Sequence, residues 1–361
     1  MASPQRSPDS ISSSAGFRPD FSFFGGIIII TAIALFFLVM LAFILSDMPG
    51  RTLYFLFAGP FRNVLSFGNM LNAMIPLVLG GLGVSIAMQT GNLNLGGEGQ
   101  IYSGAFVATV TAIALAPLGH FGAFAAALAG SLFAGIIAAI SGLCKARWNT
   151  NELITSFLLS NALILIVNYF VDGPFLDPQT NLQATKEIPA AFKLPLVLPP
   201  SRLSASLFVA LSMLVIVHVF IKKTVLGYEF RMAGFNEMFA RYGGINTGRN
   251  TVFAMFFSGV LYGLSGSMMV FGTYYRTVRE FSAGLGWNSL AAALVAGFYP
   301  PALLPSGFFF AWISSGARIA MQNSDITFEL AQVVHAVILF LVTSVVLRKL
   351  FLQRKRRKNG R

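Results

Sequence analysis

Asn92, Asn94, Glu98 and Gln100 put three amides and one carboxylate into nine consecutive residues between two long apolar runs. Side chains of this kind can bind sugar hydroxyls or the edges of a heterocyclic base. At membrane depth they are costly unless they pair with one another or line a wet cavity. Gly91, Gly96, Gly97 and Gly99 interrupt the same stretch and oppose a continuous helix through it. A broken, polar segment beside apolar spans is where membrane transporters place a substrate path. A second segment, with Trp287 and Asn288 after Leu285-Gly286, is expected to face the first, its indole offering a surface on which a ring can stack. Two roles are open to Glu98: contact with the solute, or capping of a half-helix N-terminus.

Other chemistry finds no support. No phosphate-binding loop of the G-x-x-x-x-G-K-[ST] kind is present, so the chain has no such cradle for ATP. His120, His218 and His335 fall on separate segments without ligand-like spacing, which speaks against a metal site. Cys144 is the sole cysteine, which excludes a disulfide framework and is read as a small packing residue. With no nucleophile elbow, HExxH or paired cysteines, the chain is expected to be no enzyme and to bind no cofactor.

The elements that must position these residues are membrane spans. Of 361 residues, 55% are hydrophobic and only 11% charged, against roughly 25% charged in soluble domains. The sequence therefore predicts an all-α polytopic membrane protein. Apolar runs fall near 26–46, 69–89, 100–118, 121–143, 153–171, 203–221, 251–272, 286–299, 303–321 and 330–348, each of about the length a bilayer requires. The eighth is short and ends at Phe298-Tyr-Pro-Pro301, as a half-helix or a sharply turned pair with the ninth would. Residues 1–25, Ser- and Pro-rich, are predicted to be a disordered cytoplasmic tail. Residues 26–348 form the transmembrane domain and 349–361 a basic cytoplasmic tail. The run 26–46 lacks a cleavage site and is read as a retained span.

Net charge is +12. Nucleic-acid binding is not indicated, because no aromatic-basic surface accompanies the charge. With the N-terminus inside, 17 Lys and Arg fall on internal segments and 8 on external ones, an asymmetry that places both termini in the cytoplasm. The run Arg354-Lys-Arg-Arg-Lys358 anchors topology and can also meet anionic headgroups of the bilayer. Gly81-Leu-Gly-Val-Ser85 in the second span resembles Gly263-Leu-Ser-Gly-Ser267 in the seventh, and each precedes a Leu-Gly pair, Leu95-Gly96 and Leu285-Gly286. Inverted-topology repeats produce this pattern, and so does the abundance of glycine in membrane helices.

The loop 222–250 is the longest internal connection. Asn236 is a good N-cap and Gly243-Gly244 can stop a helix after Tyr242, which predicts under two turns carrying Met238, Phe239 and Tyr242. So short a helix is unstable alone. Its apolar face docks either on the protein's own membrane domain or on a partner.

The loop resembles the coupling-helix region of ABC importer permeases, Gly-x-x-x-Arg-x-x-Gly-x-Asn-x-x-x-Ala-x-x-x-Gly-Ile, through Gly227, Arg231, Gly234, Asn236, Ala240, Gly244 and Ile245. Asn94-Leu-Gly-Gly-Glu98-Gly-Gln100 is similar to that family's Asn-Ile-Gly-x-Glu-Gly-Gln signature. Asn151-Glu-Leu-Ile-Thr155 is similar to the Asn-Glu-Val-Ile-Thr of nucleoside and simple-sugar permeases. The family usually has Ala-Ala where this chain has Phe239-Ala240, and its span asparagine falls at Ser160, with Asn161 one place later. One residue turns a helical side chain by about 100°.

The resemblance implies the membrane subunit of an ATP-driven importer in a bacterial inner membrane, for a nucleoside or a similar solute such as a flavin or simple sugar. Two permeases, identical or related, would enclose the path. Separate ATPases carrying the ATP would dock beneath, and an extracytoplasmic binding protein would deliver the solute. The path or gate would be built from Asn92, Asn94, Glu98, Gln100, Asn161, Trp287 and Asn288. ATPase coupling would fall to Glu229, Arg231, Gly234, Asn236, Glu237, Met238, Phe239, Arg241 and Tyr242, the apolar three as anchors and the charged ones setting orientation. Arg318 and Asp325 are read as lying near the outer surface, against a delivery protein or as ordinary interfacial charges. The alternative is a stand-alone ion-coupled carrier. Such coupling usually needs carboxylates within the membrane, and Glu98 is the single good candidate.

Overall fold

The structure, a computed structural model, describes residues 36, 39–40, 43–44, 46–282 and 284–325. The expected spans 330–348 and, for the most part, 26–46 lie outside these residues, as do both expected tails. The described residues are helical, with isolated β-bridges and no strand. In order they form α1 (Pro49–Phe57), α2 (Val64–Gln89), α3 (Gly97–Ala114), α4 (Gly119–Trp148), α5 (Glu152–Asp172) and α6 (Ser206–Lys223). Then come α7 (Val225–Phe235), α8 (Glu237–Tyr242), α9 (Thr247–Met269), α10 (Leu285–Val295) and α11 (Leu303–Asn323). Among the described residues, five helices are long and apolar enough to cross a membrane: α2, α4, α5, α6 and α9 with their short extensions. The pair α10–α11, bent by 116°, makes a sixth if counted as one span. The polar first turn of α3, Gly97 to Gln100, keeps that helix outside the set.

The bundle is built around α2, which is buried over most of its length. Its N-cap is local chemistry: Asn63 Oδ1 accepts the Ser66 amide at 2.7 Å. Pro76 lies within it, and the hydroxyls of Ser265 and Ser289 converge on the Pro76 carbonyl at 3.2 and 3.4 Å. Against α2 packs α9, which also runs antiparallel to α4 along a stripe of small residues. Gly142 meets Val252 and Met255, Ala138 meets Gly259, Ala134 meets Gly263 and Gly130 meets Ser267. A Cβ at Gly263 would stand 2.7 Å from that of Ala134. In lipid, where apolar burial gives helices no driving force to associate, such close backbone approach is what holds them together.

Two sides of the bundle can be told apart. One carries the α6–α9 connection. The opposite side carries the long segment 173–205, which holds one 3₁₀ turn, Ala190–Phe192. This segment is laced to residues 275–279 by backbone bonds: Thr185 N to Thr277 O (3.0 Å), Ile188 N to Tyr275 O (2.8 Å) and Arg279 N to Gln183 O (2.8 Å). Arg276 reaches Glu187 at 2.6 Å and Arg279 reaches Asp172 at 2.8 Å.

Candidate translocation cavity and coupling helix

After α2 ends, the chain turns at Gly91, whose φ of +75° suits glycine, and climbs back into the bundle in extended form. Asn92 Nδ2 bonds Thr251 Oγ1 at 3.2 Å, Asn94 Nδ2 bonds Ser258 Oγ at 3.0 Å, and Gly97 lies against the ring of Tyr262. These anchors advance along α9 by about 16 Å at an α-helical rise of about 1.5 Å per residue. The segment is thus a re-entrant arm, and α3 starts deep inside the bundle. The amides are mutually satisfied: Asn94 Nδ2 also bonds Gln100 Oε1 at 2.8 Å, Asn94 Oδ1 accepts the Gly96 amide at 2.9 Å, and Asn92 Nδ2 bonds Thr90 Oγ1 at 2.7 Å.

Glu98, in the first turn of α3, meets the start of α10. Its Oε1 accepts the Gly284 amide at 3.2 Å and its Oε2 the Gly286 amide at 2.8 Å. Those donors are the orphan amides of a helix start, and a carboxylate there also answers the positive end of the helix dipole. The absence of a side chain at Gly286 lets the two helix starts touch, because a Cβ there would run into the Glu98 amide. On the other flank, the Gly99 amide donates to Ser160 Oγ at 2.8 Å and the Leu95 amide to Ser156 Oγ at 3.1 Å. Two discontinuous helices therefore begin face to face within the bundle, joined through one carboxylate.

Beside this junction lies a cavity of about 360 Å³, lined by Glu98, Tyr102, Phe157, Ser160, Asn161, Glu280, Ser282, Gly284 and Trp287 among others. Phe157, Ser160, Asn161 and Ile164 form one face of α5, the i, i+3, i+4, i+7 stripe of a helix. Trp287 meets Phe157 edge to face at a centroid distance of 6.2 Å. Glu280 Oε1 accepts from Asn168 Nδ2 at 2.8 Å, and Asn168 Oδ1 accepts the Tyr102 hydroxyl at 2.9 Å. The cavity wall thus carries two carboxylates and no Lys or Arg. Among the described residues no cluster of three or more His, Cys, Asp or Glu suited to a metal occurs.

Of the residues expected on the path, Glu98, Asn161 and Trp287 line this cavity. Asn161 does so despite its shifted register, because both Ser160 and Asn161 fall within the stripe of α5 that faces it. Asn92, Asn94 and Gln100 are buried and hydrogen-bonded to the arm and to α9, and Asn288 is half-buried outside the cavity lining. Glu280, Ser282 and Tyr102 were not foreseen. The first two lie on a segment that hydropathy reads as an external loop. The i+3, i+4 spacing of Phe157, Ser160 and Asn161 was a signal available in the sequence.

On the other functional segment, α8 runs from Glu237 to Tyr242, with Asn236 Oδ1 accepting the Phe239 amide at 3.1 Å. Gly244, at φ +82°, turns the chain away. Met238 and Phe239 are each 67% exposed and Tyr242 87%, so none of the described helices covers this face. Arg241 bonds Glu237 at 2.6 Å and Thr247 at 2.9 Å. Glu229 accepts from Arg249 at 3.2 Å and Asn250 at 3.0 Å, which ties α7 to the start of α9. Arg231 is half-buried, and its Nε has no hydrogen-bond partner among the described residues. Gly234 seats α7 directly on the backbone of Gln89 and Gly91.

Residues 66–343 match the family of permease components of branched-chain amino acid transport systems, and the chain belongs to that family. It is 33% identical over 304 residues to the probable riboflavin import permease protein of Treponema pallidum, covering 83% of this chain and 80% of that one. Against the guanosine ABC transporter permease protein of Bacillus subtilis it is 28% identical over 310 residues, covering 84% and 88%. Against the glucose ABC transporter permease protein of Haloferax volcanii the figures are 30% over 291 residues, 75% and 74%. No solved structure matches. The chain is a multi-pass membrane permease subunit of an ATP-binding-cassette importer, and the ion-coupled carrier is set aside.

Proposed function

We propose that this permease imports a small, uncharged, ring-bearing polar solute, a nucleoside or a flavin in the first place and a simple sugar in the second. The observation that carries this reading is the cavity at the junction of α3 and α10. It combines an aromatic face at Trp287 with Asn161, Ser160 and two carboxylates. Such a wall accepts hydrogen bonds from hydroxyls and ring N–H groups, stacks a ring, and offers no basic side chain to a phosphate. The riboflavin and guanosine permeases among the relatives support the solute class.

The chain spans the bacterial inner membrane about ten times with both termini in the cytoplasm, the inverted repeat relating its halves. Separate cytoplasmic ATPases bind ATP and grip the exposed face of α8. An extracytoplasmic binding protein delivers the solute on the side of segment 173–205. A second permease, identical or related, closes the cavity from the flank of α5, where Asn161 and Trp287 are exposed. An exposed amide on a spanning helix is costly in lipid, and a partner removes that cost.

The test is reconstitution of the permease with its ATPases and binding protein in liposomes. ATP-dependent uptake of a nucleoside or flavin, competed by the free solute and not by its phosphate ester, is the expected result. Uptake driven by an ion gradient without ATPases, or equal competition by the phosphate ester, refutes the reading.

A further inference from the structure

We propose that the re-entrant arm 90–97 is a strut that carries movement of the ATPase-docking helices to the wall of the solute cavity. In this scheme Gly234, Asn94 and Ser258 act as positioning residues. The inference rests on the importer reading for the source of the movement, and on geometry for its route.

The route is continuous. At its lower end, α7 sits on the turn that begins the arm: Gly234 lies against the Gln89 carbonyl, with its Cα 3.7 Å from where a Gly91 Cβ would stand. A side chain at Gly234 would lift α7 off that turn. Along its length the arm is bolted to α9 through Asn92 to Thr251 and Asn94 to Ser258 (3.0 Å). The helix α9 is itself joined to α8 through Arg241 and Thr247 (2.9 Å). At the upper end the arm becomes the first turn of α3, whose Glu98 holds the amides of Gly284 and Gly286. Those glycines belong to the segment that lines the cavity through Ser282, Gly284 and Trp287.

Material properties favour transmission. Between Leu93 and Leu95 the arm has no helical bonds of its own to stretch, and the side-chain amides of Asn92 and Asn94 are satisfied by Thr90, by Gln100 of α3 and by α9. A shift of α7 and α9 together therefore moves the arm as a unit. The contacts free to change are those that the arm and the first turn of α3, into which it runs, make with other elements: Leu95 and Gly99 on the serines of α5, and Glu98 on α10. The element with two arrangements is then the Glu98–α10 contact, which both the docking helices and an occupant of the cavity bias. Shared influence on such an element is what a coupling claim requires.

The experiment uses the full chain in nanodiscs and reads amide hydrogen exchange over residues 281–290 for Ser258→Ala, Gly234→Ala and a control, Gly248→Ala. The control lies in the first turn of α9, where a Cβ finds its nearest neighbour at 3.5 Å. Exchange at Gly284 and Gly286 is expected to rise about tenfold in both strut variants and to stay at the wild-type rate in the control, local opening being what exchange reports. Reconstituted with ATPases and binding protein, Ser258→Ala should keep its basal ATP hydrolysis. It should consume at least about fivefold more ATP per solute imported, the lower end of ordinary coupling. Loss of packing alone would not move that ratio. If Gly234→Ala fails to fold, Ser258→Ala, which removes one hydroxyl, carries both readouts. Wild-type exchange at 284–286 in Ser258→Ala, or an unchanged ATP-to-solute ratio, overturns the strut. Failure of the wild-type importer to move solute with ATP would instead refute the importer reading, and the exchange measurement would still decide the strut.

Discussion

Glu98 accepts the amide of Gly286 at 2.8 Å across 188 residues of sequence, and the two residues sit in the opening turns of helices that both start inside the bundle. The same carboxylate forms part of the cavity wall. The two roles open to Glu98 from sequence are therefore compatible in space: the geometry of a cap is present, and one face of the residue remains on the cavity.

Glu98→Gln tests which role governs transport. The substitution replaces one acceptor oxygen with a donor aimed at an amide donor, and losing a hydrogen bond to a charged group costs about 1.5–3 kcal/mol. The expected outcome is a melting temperature lowered by several degrees, read on the purified protein in nanodiscs, together with lost uptake. An unchanged melting temperature with lost uptake would mean that the carboxylate acts on the solute alone.

Trp287 is the ring platform in the proposed function. Trp287→Ala is expected to weaken solute affinity by about tenfold, since aromatic pairs contribute about 0.5–1.5 kcal/mol beyond burial. Trp287→Phe should recover most of the loss for a nucleoside. Isothermal titration of the assembled importer reads both. Equal affinity in all three forms would remove the indole from the solute site.

The apolar face of α8 is exposed, so its loss should leave the permease fold alone. Phe239→Ala and Tyr242→Ala are each expected to reduce co-purification of the ATPase by at least about tenfold, as anchors at protein interfaces do, with an unchanged melting temperature of the isolated chain. Asn236→Ala removes the N-cap, worth about 1 kcal/mol, and should weaken the same association less. Full ATPase retention in Tyr242→Ala and Phe239→Ala would assign docking to another surface.

These elements differ in how far sequence reaches them. The helix α8 was legible to the residue because its determinants are local: Asn236 caps it and the Gly243-Gly244 pair ends it. The sharp turn between α10 and α11 was legible from Tyr-Pro-Pro and the shortness of the eighth run. Asn92, Asn94 and Gln100 marked the right region, but Asn92 and Asn94 tie the arm to α9, and Gln100 ties the first turn of α3 back to Asn94. A buried amide that is satisfied and one that lines a path have the same composition, and only their partners, Thr251 and Ser258, distinguish them. Glu280 reaches the cavity through a fold-back of 275–282 held by segment 173–205, and hydropathy carries no trace of that long-range pairing.

That pairing makes the last prediction, which concerns pH. The Lys193 ammonium, at 2.8 Å, and the Arg276 guanidinium, at 2.6 Å, hydrogen-bond Glu187 and hold its carboxyl below the usual glutamate value. A carboxyl whose pKa is depressed on folding contributes stability that is present above its unfolded pKa and lost as pH falls through the folded value. The lacing of 183–194 to 275–279 should therefore hold at neutral pH and loosen only below the ordinary glutamate range. Glu187→Gln should remove this pH dependence and give an intermediate protection that stays level. Amide exchange at Thr185 and Ile188, whose bonds to Thr277 and Tyr275 form the lacing, compared between neutral and acidic buffer and corrected for intrinsic rates, reads the effect. Loosening as pH rises from acid to neutral, or the same pH response in Glu187→Gln as in the wild type, would contradict it.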